Sequence, residues 1–179
     1  MTDKPSYLGL LNAISNAEGE AQQYLSAWAA TTTRDDVRAV ISTVALREGE
    51  HSLAFAKRMC ELGFDVQQRE DPKCAERMAI ASSCELSDLQ KFEQLGLGEP
   101  EVEGCPDIFA GMFGDTTIDI QTGALLGRYI AEERDSGRMF RACREALACE
   151  AAATPAAAAP ERLDRIEALL EQLVTKLGS

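Results

Sequence analysis

The chain has 179 residues, 45% of them hydrophobic and 27% charged, and a formal net charge of −12. That length and composition predict one compact domain with a short appendage and exclude global disorder. The acidic balance argues against general binding to nucleic-acid phosphates or to an anionic membrane surface, and no apolar run approaches the roughly 18 residues that span a bilayer.

The opening residues Met1–Ser6 lack a basic stretch followed by an apolar one, so no secretory signal is read there and a cytoplasmic location is expected. None of the six cysteines, Cys60, Cys74, Cys84, Cys105, Cys143 and Cys149, forms a C-x-x-C pair. That rules out a zinc ribbon or a rubredoxin-type iron site within the chain and leaves reduced thiols, mostly in packing positions.

The periodicity predicts an all-α chain. Helix one, Ser6–Ala30, carries Tyr7, Leu11, Ile14, Ala21, Leu25 and Trp28 at spacings of three and four. Thr31–Thr33 breaks it, and Thr33 with Asp36 reads as a capping-box-like start for helix two, so the first two helices form an antiparallel hairpin. Helix two carries Val37, Val40, Ile41, Val44, Phe55, Met59 and Leu62 and stops at Gly63. A second stripe on it, Leu46, Leu53 and Cys60, predicts contact with a second subunit.

Asp71-Pro72 opens helix three, whose stripe is Met78, Ala81, Leu89 and Phe92, ending near Gly96. Residues 97–115 form a long connection, and helix four runs Thr117–Cys149 with Ile118, Leu125, Tyr129, Met139, Phe140, Cys143 and Leu147. Residues 151–160 are an Ala/Pro linker. A last helix, Glu161–Leu177, repeats Leu163, Ile166, Leu170, Leu173 and Leu177 in the manner of a coiled-coil seam and is expected to self-associate or dock. The domain reading is thus a bundle over 1–150, the linker over 151–160 and an oligomerisation or docking helix over 161–179. One point stays open. The eight residues after Gly63 reach only about 27 Å. Helix three therefore either begins nearer Ala79, or runs antiparallel to helix two with the crossover displaced to 97–115.

The informative positions are acids that fall inside apolar stripes, because an unpaired buried carboxylate is very costly. At 100° per residue, Glu18 falls among Ile14, Ala21 and Leu25, and Glu48 falls with Val44 and Phe55. Glu85 falls among Met78, Ala81 and Leu89, and Glu132 beside Leu125 and Tyr129. His51, the only histidine, lies three residues after Glu48 on the same face. Carboxylates with imidazole form a donor set suited to iron or manganese, and two cations would neutralise the buried charge.

Ala17-Glu-Gly-Glu-Ala21 with Tyr24, Arg47-Glu-Gly-Glu-His51 with Phe55, Glu85, and Ile130-Ala-Glu-Glu-Arg-Asp135 follow the order Glu, E-x-x-H, Glu, E-x-x-(H). In this the chain resembles the ferritin-like superfamily, its rubrerythrin-type branch most closely, over residues 6–150 and without a rubredoxin domain. The resemblance implies a ferritin-like four-helix bundle with a C-terminal coiled-coil-like helix. It also implies a di-iron centre, or manganese, held by Glu18, Glu48, His51, Glu85, Glu132 and Asp135. Asp135 stands where the family has histidine, although Ser136 is more central on the wheel, and Glu20 competes with Glu18. The implied activity is oxidation of Fe(II), or reduction of oxygen or peroxide. The expected partners are metal ions, a second copy in a homodimer or higher homo-oligomer, and a separate electron donor if the protein acts as a peroxidase. Nucleic acid and membrane are not expected. The alternative expectation is a non-enzymatic helical assembly module with a degenerate or structural metal site.

Overall fold

A computed structural model of the chain describes residues 4–69, 71–100, 107 and 109–153. Among them are five helices and no strand: α1 Leu8–Thr31, α2 Asp35–Glu61, α3 Cys74–Ser82, α4 Asp88–Leu95 and α5 Ile120–Ala153. No helix among these residues is long and apolar enough to cross a membrane. The chain divides into two units, residues 1–145 and 146–179. The site lies in the first. In the second, residues 146–153 are helical, and the leucine-rich tail and most of the Ala/Pro linker lie outside the described residues, as does Cys105.

α1 and α2 form the expected antiparallel hairpin. Ser15 Oγ donates to the Ser52 carbonyl (3.0 Å) and Ser52 Oγ donates back to that of Ser15 (2.7 Å). The expected capping box at Thr33 is absent. Arg34 is the N-cap of α2 without a side-chain cap bond, and it pairs with Asp36 instead. Arg38 reaches back to the carbonyls of Ala29 and Thr32, placing its positive charge at the negative end of α1. α2 stops at Gly63, whose φ of +84° and bonds from Gly63 N to Cys60 O and from Phe64 N to Met59 O make a Schellman ending.

After Gly63 the chain turns back along α1. Asn12 clamps Gln67 through both of its backbone groups, Asn16 accepts from Arg69 N, and Thr31 Oγ1 donates to Ala81 O. These contacts advance along α1 in step with the sequence, so this stretch runs with α1 and antiparallel to α2. The return to the other end of the bundle is made between α4 and α5, where Phe109 meets Tyr129, Asp115 accepts from Ser6, and Asp119 accepts from Tyr7.

The third helix of the sequence reading is not one helix. Ser83 ends α3. Ser87 then starts α4 with a true capping box, its Oγ accepting from Gln90 N (3.3 Å) while its own N–H donates to Gln90 Oε1 (2.9 Å). The break is held by a buried polar knot. Lys91 Nζ donates to Ala81 O (2.9 Å) and Thr31 Oγ1 (2.8 Å), and Asp88 accepts from Trp28 Nε1 (2.6 Å) and Thr32 Oγ1 (2.7 Å).

α5 runs antiparallel to α2 and parallel to α1. Its buried line includes Thr122, Leu126, Tyr129, Ser136 and Phe140; Leu126, Tyr129 and Ile130 close a core with Leu11, Ile14, Phe55 and Met59, and Phe140 meets Phe92 edge-on. Three of the expected packing cysteines, Cys60, Cys84 and Cys149, are instead exposed; Cys74 and Cys143 are half-buried, and all five are free.

Candidate metal centre

The buried faces of α1 and α2 carry polar residues in line with their apolar ones. On α2 the buried series is Val37, Ile41, Val44, Glu48, His51, Phe55 and Met59, and on α1 Glu18 continues the line of Leu11, Ile14 and Ser15. The two helices approach closely at this level because two glycines sit at the seam. A Cβ on Gly19 would lie 3.1 Å from Ser52 Oγ, and one on Gly49 3.1 Å from Gln22 Cγ. The close seam brings the neighbouring carboxylates, Glu18 and Glu48, to one point.

There Glu18, Glu48, His51 and Glu133 each offer a donor atom, and these atoms lie within 4.8 Å of one another. Glu18 is 6% exposed and His51 4%. Three atoms in the cluster, Glu18 Oε2, His51 Nδ1 and Glu133 Oε1, are buried without a hydrogen bond. They face each other: His51 Nδ1 is 3.7 Å from Glu18 Oε2 and 3.4 Å from Glu133 Oε1. The outer donors fix the geometry. Tyr129 OH donates to Glu18 Oε1 (2.9 Å), and its ring stands edge-on to His51. His51 Nε2 lies 2.7 Å from Glu132 Oε2, and Arg128 Nε donates to Glu132 Oε1 (3.0 Å).

With no cation, protons neutralise the crowding. Burial, with Glu18 beside it, pushes the Glu48 carboxyl up to about 10. Burial disfavours the His51 imidazolium, but the carboxylates of Glu133, Glu18 and Glu132 outweigh it and lift His51 to about 10. Burial also acts to raise Glu18, but its partners His51, Glu48 and Tyr129 hold it below the usual carboxylate range. Tyr24 is pushed up to about 12 by burial and by the Glu48 charge.

Of the six ligands expected from sequence, the fold brings Glu18, Glu48 and His51 together, and Glu132 touches His51 from outside. Two are not brought in. Glu85 is exposed in the turn between α3 and α4, because the helix that was to carry it inward ends at Ser83. Asp135 points to Arg47 (2.8 Å) and Arg138 (2.9 Å), which hold its carboxyl below the ordinary value. Glu20, the competitor of Glu18, sits half-buried with Arg77 3.9 Å away. Glu133 is the donor that the sequence reading missed. The three-four line through Leu126, Tyr129, Ser136 and Phe140 passes through 133 rather than 132, and the central wheel position of Ser136 was its signal.

One side of the cluster opens into a cleft of about 530 Å³. Glu18, Glu48 and Glu133 contribute to its lining, Tyr24, Leu25 and Phe140 give it apolar and aromatic surface, and Glu20 and Arg77 also border it. The donors are hard oxygens and one imidazole, the combination that suits iron or manganese, and their unbonded atoms converge. No protein-family model, no curated protein and no solved structure matches the chain.

Proposed function

We propose that this chain is a ferritin-like metal protein, in which Glu18, Glu48, His51 and Glu133 hold iron or manganese and Fe(II) is oxidised with oxygen or peroxide as electron acceptor. The observation that carries the reading is the convergence of three buried, unbonded atoms, Glu18 Oε2, His51 Nδ1 and Glu133 Oε1. Buried polar atoms are nearly always satisfied, and a protein interior that gathers carboxylates without cationic partners pays a desolvation cost unless something positive joins them.

A bound redox metal would supply one-electron exchange with oxygen or peroxide. The residues supply the rest. Glu132, an acceptor only when ionised, keeps the proton of His51 on Nε2, so the neutral ring turns the lone pair of Nδ1 to the cluster. Arg128 holds Glu132 in that position and Tyr129 orients Glu18. Cation binding displaces the protons otherwise held on Glu48 and His51, so affinity rises with pH. The cleft admits the reactants. In this reading a second copy covers the exposed stripe of Leu46 and Leu53, and a separate donor supplies electrons for peroxide reduction.

The test is elemental analysis of protein purified without chelator, followed by near-ultraviolet absorption after Fe(II) and oxygen are added. Bound iron or manganese is expected in the wild type, with its loss in His51→Ala. Full metal content in the variant would overturn the assignment. The second reading, a helical assembly module, draws on the exposure of Leu46 (71%) and Leu53 (73%) on α2. It is favoured if the protein binds no metal yet self-associates through that stripe.

A further inference from the structure

Three features bear on how many ions this cluster takes. The first is the donor count. Among the described residues, one group of three or more possible ligands converges, and it is made of four residues, Glu18, Glu48, His51 and Glu133. Four such donors complete the inner set of a single ion with positions left for water or substrate. Two ions need bridging carboxylates and further terminal ligands, and the residues in line for that duty, Glu85 and Asp135, are an exposed turn residue and the partner of two arginines.

The second feature is the residue one turn beyond Glu133 on the same face of α5. It is Ser136, buried, whose neutral hydroxyl is a far weaker ligand for a divalent transition ion than imidazole. The third is what occupies that hydroxyl. Arg47, next in sequence to Glu48, donates from Nη1 to Ser136 Oγ (3.3 Å), lies 3.7 Å from Met139 Sδ and pairs with Asp135. The guanidinium so held puts a positive charge on this flank of the cluster.

We infer that the cluster binds one divalent cation per chain, with the Arg47 guanidinium on Ser136 standing where a second cation would need its ligands. The inference rests on the metal-binding reading above and narrows it. Arg47 is a positioning and charge-balancing residue here, since it touches none of the four donors.

The experiment is an anaerobic calorimetric titration of the full chain, stripped with chelator, with Mn(II), together with the Mn(II) electron paramagnetic resonance spectrum at saturation. One equivalent per chain with the spectrum of an isolated ion is expected. Two equivalents, or an exchange-coupled pair, would overturn the single-ion inference while leaving the metal reading intact. Half an equivalent would place the ion between chains and also overturn it. No binding at all would remove both. In Arg47→Gln, loss of a nearby positive charge should tighten Mn(II) by about tenfold, and an unchanged affinity would strike out the role given to Arg47. The wild-type stoichiometry needs no variant, so the inference stays open to refutation if Arg47→Gln misfolds.

Discussion

Arg58 and Asp119 meet across α2 and α5, as His51 and Glu132 do two turns back along α2, yet the two meetings are differently made. Around Arg58 the charges are matched. Its guanidinium donates to Thr122 Oγ1, Gln121 Oε1, Asp119 Oδ1 and Glu61 Oε2, each at 2.9 Å, and Asp119 also accepts from Tyr7 OH (2.7 Å) and from the first amides of α5. These bonds tie the start of α1, the end of α2 and the start of α5 into one unit. The Thr122 hydroxyl, which donates to Asp119 Oδ2 (2.7 Å), leads them in holding the Asp119 carboxyl far below its ordinary value, although partial burial opposes this. Around His51 the acids outnumber the cations and three buried atoms go unbonded. The first network is complete as protein and serves stability. The second is complete only with protons or a metal, and stability is what it gives up.

That contrast can be broken at either end. The largest effect is expected from Arg58→Met, which removes the cation shared by Asp119 and Glu61 and leaves Asp119 to Tyr7, Thr122 and the α5 amides and Glu61 to Lys57. Allowing for their partial exposure, it should cost about 2 kcal/mol in urea unfolding while Mn(II) affinity stays at the wild-type value. A loss of metal binding as large as the loss of stability would mean the two networks are one. Smaller, and opposite in sign, is Glu48→Gln in metal-free protein. Folded Glu48 keeps its proton up to about 10 against an ordinary 4.5. Over that interval the unfolded chain has released a proton the folded chain still holds, so the wild type loses stability as pH rises. The neutral amide removes this penalty. The variant should be about 1 kcal/mol more stable than wild type, with a gain that grows from about pH 5 to about pH 8, and should bind Mn(II) poorly. A destabilised Glu48→Gln would show that the carboxyl holds the fold together.

The smallest pair sharpens the comparison at the seam. In Gly19→Ala the new methyl meets Ser52 Oγ, which is fixed by its bond to Ser15 O, and a loss of about 1 kcal/mol is expected. In Gly49→Ala it meets Gln22, a flexible chain that can turn aside, and helix propensity gives a gain of about 0.5 kcal/mol. Equal effects in thermal unfolding would contradict the asymmetry of the seam.

Much of this was legible in the residues themselves. The stripes of α1, α2 and α5 were readable because long amphipathic helices repeat their signal many times. Glu18, Glu48 and His51 stood out because an acid in an apolar line needs a reason. Glu85 misled because Met78, Ala81 and Leu89 keep helical phase across a break. The competing signal, Ser87 three residues before Gln90, was a capping box, and it won because a start signal inside a short stripe outweighs continued periodicity. Glu132 and Glu133 are adjacent and both near the face, and the signal for 133, the central wheel position of Ser136, was outweighed by the expected E-x-x-D spacing. The direction of α3 needed the Asn12 and Asn16 clamps on residues 67 and 69, long-range contacts that no local pattern announces.

The cleft beside the donors has a consequence for time rather than for structure. A continuous third helix bearing an inward acid would wall the donors in, and an ion would come and go only when helices part. Instead a cleft of about 530 Å³, bordered by Arg69, Asp71 and Arg77 on one side and Leu95 and Leu97 on another, reaches Glu18, Glu48 and Glu133 in the resting fold. For an ion held as proposed, exchange would then be set by how fast its own bonds to oxygen and nitrogen lapse, and its residence would be a matter of ligand lability instead of breathing.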